Sequence, residues 1–253
     1  MIQLVTQSLA QAVAEFARTP PFDRYIDPDK ILVTAARGKR GPHGKRAECH
    51  FTAFRDTKTR SSRDGRWQFP QIEHRGREIR YVIRFVFPRF LLIDPKEQAK
   101  DIVHELLHID ESFCGAGSAR KHGVRYDRTV ESIANKALKA GIALPQLPSV
   151  GETVYFEHFR PFPRPFRSDD SKAQRTFSES DLEIGGLHLS EEHREPPPAR
   201  YVYHCISCGK QYRRQKPLVR PAACGVCTDR YDARFKLELI RGGDHPWREV
   251  EDG

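Results

Sequence analysis

The chain has 253 residues, enough for one domain of ordinary size and a small accessory one. Apolar residues make up 38% and charged residues 30%, and no run approaches the roughly 18–20 uncharged apolar residues that a membrane-spanning helix needs, so no membrane span is expected. Lys and Arg outnumber Asp and Glu by 43 to 34, and the resulting charge of +9 fits either polyanionic partners, nucleic acid above all, or a merely solubilising surface.

Leu4, Val5, Leu9, Val13 and Phe16 recur at helical spacing, so residues 2–18 are expected to form an amphipathic helix. This segment has no basic stretch before its apolar pattern and carries Glu15 within it, which argues against a signal peptide and for a cytoplasmic protein. Pro20, Pro21 and Asp27-Pro28 break the pattern. Ile31-Leu32-Val33-Thr34 is a short β-prone run, followed by a basic loop, Arg37–Arg46, with five Arg or Lys in ten positions. Cys49 to Phe54 is a second candidate strand, in which Cys49 and His50 point to opposite faces. Residues 56–76, rich in charge and turn formers, read as an exposed loop. Ile79 to Val86 is the strongest strand signal in the chain.

Phe90-Leu91-Leu92-Ile93 then meets a well-specified helix start. Asp94 can cap the first amides, Pro95 suits the first helical position, and Glu97 sits where a capping-box carboxylate reaches back. The helix is expected to run through Ile102, Val103, Leu106 and Leu107 to about Phe113, with Gly115 as its stop. A second helix, from about Tyr126 to Ala140, carries Val130, Ile133, Ala134, Ala137 and Leu138 on one stripe and ends at Gly141. From these elements the first domain is placed at 1–145. Residues 146–199, with Phe-Arg-Pro-Phe-Pro-Arg-Pro-Phe at 159–166 and three prolines at 196–198, read as an extended linker or docking segment. Val154-Tyr155-Phe156 is apolar enough to pack on the first domain. A cysteine-bearing module over 200–242 and a polar tail over 243–253 complete the chain.

His104-Glu105-Leu106-Leu107-His108 places an HExxH motif inside the first of those two helices. Two histidines four apart share a helical face, one turn above the other, so both imidazoles can hold one ion. Glu105, adjacent to the first ligand, lies near the metal without binding it and is placed to take a proton from water activated there. Three residues could complete the site. His122 follows His108 by fourteen residues, and a chain reversal at Cys114–Ser118 would return it over the helix. Glu131 would supply a carboxylate ligand, and Cys114 a thiolate. Ligand chemistry and placement favour His122. Tyr126, about one turn away, is a candidate donor to a developing oxyanion or simply a core residue. The absence of HExxHxxGxxH, and of any methionine after Met1, excludes a metzincin.

Cys205-Ile206-Ser207-Cys208 and Cys224-Gly225-Val226-Cys227 are separated by fifteen residues, the spacing of a four-thiolate zinc ribbon. A closed four-ligand site leaves no open position, so this zinc is structural. Between the knuckles Lys210, Arg213, Arg214, Lys216 and Arg220 surround Tyr212, a composition suited to phosphate contact and base stacking, or to a merely solvated loop.

HELLH, then His122-Gly123 opening a helix, then a four-cysteine ribbon, resembles the SprT-like metalloproteases, which include the Spartan-type proteases and related phage metallopeptidases. The resemblance covers about residues 80–140 and 200–235. It implies a zincin-like α+β domain of helices and a small, mainly antiparallel sheet, with a C-terminal zinc ribbon. It also implies a catalytic zinc on His104, His108 and His122 with Glu105 as base, a second zinc in the ribbon, and protein substrates associated with DNA, which is compatible with a nucleoid-associated location. Two other functions fit the residues: a nucleic-acid-binding adaptor whose HExxH metal is structural, and a toxin-like or regulatory metalloprotease with one protein target. Two zinc ions per chain with chelator-sensitive proteolysis would favour an enzyme. A cleavage rate indifferent to DNA would favour the last.

Overall fold

The computed structural model describes residues 3–38, 44–144, 148, 151–190, 201–205, 207–208, 211–214, 223–224 and 237–241. Two compact units divide the chain, residues 1–194 and 195–253. Both helices and strands are present, so the fold is mixed α+β. Among the described residues no helix is long and apolar enough to cross a membrane.

In the first unit, helix α1 (Val5–Ala17) buries Leu9, Val13 and Phe16, the apolar face its spacing predicts. The central sheet has the order β1-β6-β2, with β1 (Ile31–Arg37), β2 (Ala47–Phe51) and β6 (Tyr81–Phe87). β1 runs parallel to β6 and β2 antiparallel to it, so this sheet is mixed where a mainly antiparallel one was expected. β6 is buried almost throughout, as its unbroken apolar run requires of a strand covered on both faces. Ile31, Val33, Tyr81, Ile83 and Phe85 point to a core shared with α1 and two further helices, α2 (Pro95–Leu107) and α3 (Val124–Lys139). Leu32 and Val82 point to the other face, into a smaller core with Ile72, Ile79, Phe159 and Phe177.

Three sequence expectations need correction. Residues 56–76 hold two short strands, β3 (Trp67–Gln68) and β4 (Gln71–His74), and Ile72 is buried, so only part of this segment is loop. β5 (Arg77–Glu78) pairs with β4. Helix α2 ends at Leu107, not near Phe113, because the carbonyls of Leu107 and His108 are taken by the Ser118 hydroxyl and backbone N–H.

The largest correction concerns 146–199. β7 (Thr153–Phe159) and β10 (Leu182–His188) form an antiparallel pair, with β8 (Phe166–Arg167) joined to β3 and β9 (Thr176–Phe177) joined to β4. Val154, Phe156, Leu187 and Leu189 are buried in the main core, where the Phe156 ring meets Phe87 edge-on. Its described residues, 148 and 151–190, belong to the first unit instead of linking two domains, and Val154 and Phe156 pack there as their apolar character suggests; these side chains have a core to enter, which outweighs the extended preference of the prolines.

The second unit contains a three-stranded antiparallel sheet of order β12-β11-β13, from β11 (Tyr201–Cys205), β12 (Gln211–Arg214) and β13 (Leu237–Arg241). Tyr203, Cys205, Cys224 and Leu237 form its small core. The tail 243–253 lies outside the described residues.

Candidate metal centre

The start of α2 is built as its sequence specifies. The Asp94 carboxylate accepts the Glu97 backbone N–H at 2.9 Å, and Pro95 opens the helix. Ala99, Ile102, Val103 and Leu106 are fully buried, each large side chain contributing roughly 1.5–3 kcal/mol. That orientation turns His104 and His108 together on another face, their ring centroids 4.9 Å apart.

His122 is brought back by the turn from 108 to 118. Gly115 (φ +93°) adopts a conformation that side chains disfavour, and its carbonyl accepts the N–H groups of Thr52 and Ala53. The Tyr81 hydroxyl accepts the Gly115 N–H at 3.1 Å and donates to the Ala116 carbonyl at 3.0 Å, tying the turn to the sheet. His122 then sits 4.9 Å, ring to ring, from both His104 and His108. One ring nitrogen from each of the three lies within 4.8 Å of the others. Nitrogens around a tetrahedral zinc are about 3.3 Å apart, within reach of small side-chain rotations from this arrangement. His104 and His108 are half-buried and His122 is exposed, which leaves one side of the triangle facing outward.

Burial, then the neighbouring imidazoles, pulls the pKa of His108 down to about 4. Burial and His122 also lower that of His104, while Asp127 opposes. Neutral imidazoles present the lone pairs a cation needs. Glu105 is only 7% exposed, and its carboxylate accepts the backbone N–H of Cys49 on β2. Burial pushes its pKa up to about 7, against that hydrogen bond and with Asp101 adding to the rise.

The alternative third ligands fall elsewhere. Glu131 is half-exposed and pairs with Lys96 at 3.5 Å and Lys100 at 3.7 Å, and Cys114 does not join the imidazole group. Tyr126 packs its ring 4.8–6.1 Å from all three histidines, while its hydroxyl donates to the His104 carbonyl at 2.9 Å. That bond commits the hydroxyl to bracing α3 on α2 instead of to an oxyanion.

Sequence reasoning missed the Cys49 N–H and the Tyr81 hydroxyl. The first had no signal, since any strand residue could have supplied it. The second had one: a tyrosine on the core-facing side of a strand must find a partner for its hydroxyl.

In the second unit Cys205, Cys208 and Cys224 bring their sulfurs within 4.8 Å of one another. Sγ of Cys208 and Cys224 are 3.7 Å apart, far longer than a disulfide and close to the roughly 3.8 Å between thiolates on one tetrahedral zinc. Tyr212 places its hydroxyl 3.1 Å from the Cys224 sulfur. Cys227, Lys210, Lys216 and Arg220 lie outside the described residues, as do Lys39 and Arg40 of the basic loop. Arg213 and Arg214 fall on β12, opposite Val202 and Tyr201 in register.

Comparison with family models, with curated proteins and with solved structures finds no match.

Proposed function

We propose that the chain is a zinc-dependent endopeptidase of the SprT-like kind, with a zincin-like first unit, a zinc ribbon in the second, and protein substrates associated with DNA. The observation that carries this reading is the convergence of His104, His108 and His122 beside a buried carboxylate, Glu105. Three imidazole nitrogen donors with an outward-facing side suit a catalytic zinc, because catalytic sites keep a coordination position for water or substrate. The four cysteines suit a structural zinc, with Cys205, Cys208 and Cys224 already clustered.

When bound at the imidazoles, zinc supplies Lewis acidity toward a carbonyl and acidifies its water to a pKa of roughly 7. Glu105 takes the proton of the attacking water on its carboxylate and returns it to the leaving amine. The Cys49 N–H fixes the direction in which that carboxylate points. β2 is an edge strand among the described residues and packs on α2, so an extended peptide added along its free edge runs beside the metal helix. A net charge of +9 supports DNA as the polyanion that concentrates substrate.

Glu105→Gln tests the reading. The variant is expected to keep two zinc ions and lose cleavage of a DNA-bound protein by at least 100-fold, the contribution of general acid–base catalysis being about 10²–10⁴. Undiminished cleavage would end the assignment.

A further inference from the structure

A second site lies where the β7–β10 pair and the loop after β7 meet β1 and Arg84 of β6, lining an open cavity of about 430 Å³. Arg37, Arg84, Arg160 and His158 line it, with Glu183 as the one acidic residue among them. The metal centre uses none of these residues.

Several polar groups around this site lack partners. Arg84 Nε and His158 Nδ1 are both buried without a hydrogen bond. The hydroxyl of Thr34, opposite Arg84 in the β1–β6 register, is likewise unpaired but lies behind the wall and not in it. A buried polar atom left unpaired costs the desolvation of that group. The wall is partly paired already: Arg84 reaches Glu48 at 3.4 Å, Glu183 is shared by His158 at 3.6 Å and Arg160 at 3.9 Å, and Arg37 donates to the Gly186 carbonyl. One carboxylate, Glu183, stands against three arginines in the lining. Arg84 also lies 4.3 Å above the Phe162 ring, which together with Phe159 gives the cavity an aromatic side.

We propose that this cavity binds a nucleotide-sized phosphate ester, with its phosphate on Arg84 and Arg160 and its apolar body against Phe159 and Phe162. Guanidinium forks match phosphate oxygens in geometry and charge. The volume is within the range of small-ligand sites and far exceeds one phosphate, so the ester must bring a body. Glu183 offers an acceptor to a sugar hydroxyl, a use for a carboxylate in an otherwise cationic wall. The same chemistry is presented by a free nucleotide and by the phosphorylated end of a nucleic-acid strand.

Calorimetric titration of the zinc-loaded full chain decides the matter. A nucleoside 5′-monophosphate is expected to bind at least tenfold more tightly than either inorganic phosphate or the unphosphorylated nucleoside. Arg160→Gln, at a side chain 77% exposed and so safe for folding, should weaken that binding tenfold or more. Arg63→Gln, 81% exposed and outside the cavity, should leave it unchanged. An oligonucleotide with a 5′-phosphate that binds as tightly as the mononucleotide, and is equally sensitive to Arg160→Gln, identifies strand ends as the ligand; failure of the oligonucleotide alone identifies free nucleotides. No binding of the monophosphate, equal binding of inorganic phosphate, or equal weakening by both arginine variants would overturn the proposal.

Discussion

Replacing Gly115 by alanine probes the turn that delivers His122. The position has φ +93°, where a side chain costs roughly 1–2 kcal/mol. A Cβ there would also sit 2.5 Å from the Thr52 hydroxyl oxygen and 3.4 Å from the Arg80 carbonyl. Thr52 cannot swing aside freely, because its hydroxyl donates to that same carbonyl at 2.8 Å, and losing the bond costs about 1 kcal/mol more. The expected penalty is about 3 kcal/mol, equivalent to a fall in Tm of roughly 6–12 °C for a unit of this size. Gly65→Ala is the matched control: its φ is +68°, but nothing lies within 4 Å of the added carbon, so only the backbone cost of about 1–2 kcal/mol applies. Thermal unfolding of both variants, with zinc titration in parallel, separates the two effects. Gly115→Ala should unfold several degrees below Gly65→Ala and bind zinc more weakly at the histidine site. Equal losses in the two would refute the claim that close packing against Thr52 holds the turn.

Phe156→Ala should destabilise the first unit by about 3–5 kcal/mol in urea unfolding, because the ring is buried against Phe87; a surface-like effect below about 0.5 kcal/mol would restore the linker reading of this segment. His50 gives a pH signature. Burial, then Arg84, lowers its pKa from 6.5 to about 4, with Glu48 opposing, so the unfolded chain binds this proton at a higher pH than the folded one. Its contribution to stability is complete above pH 6.5 and is lost as pH falls toward 4, up to about 3 kcal/mol. His50→Gln should flatten that part of the stability profile; an unchanged slope would contradict the shift. Cys205→Ser should release one of two zinc ions, measured by atomic absorption, and leave the histidine site loaded; loss of both ions would show that the two sites are not independent.

Much of the candidate site is legible in the sequence because its determinants are local. Asp94, Pro95 and Glu97 mark where α2 starts, and four-residue spacing alone sets His104 and His108 on one face. The end of the helix is not legible, since Phe113 continues an apolar pattern and the stop depends on Ser118 capturing carbonyls from ten residues further on. Strand pairing is hidden for the same reason. The partners of β7 and β9 are set by distant segments, and the prolines around Phe162 disguise a stretch whose alternating Val154 and Phe156 fit a core strand. β1 and β6 are each recognisable, but their parallel pairing requires β6 to lie between two strands that precede it in the chain.

Anomalous diffraction at the zinc edge tests the central claim most directly. One peak is expected about 2.1 Å from nitrogens of His104, His108 and His122, and a second about 2.3 Å from the sulfurs of Cys205, Cys208, Cys224 and Cys227. A zinc-loaded crystal with no peak among the three histidines, or with Glu105 itself as a ligand there, would contradict the account.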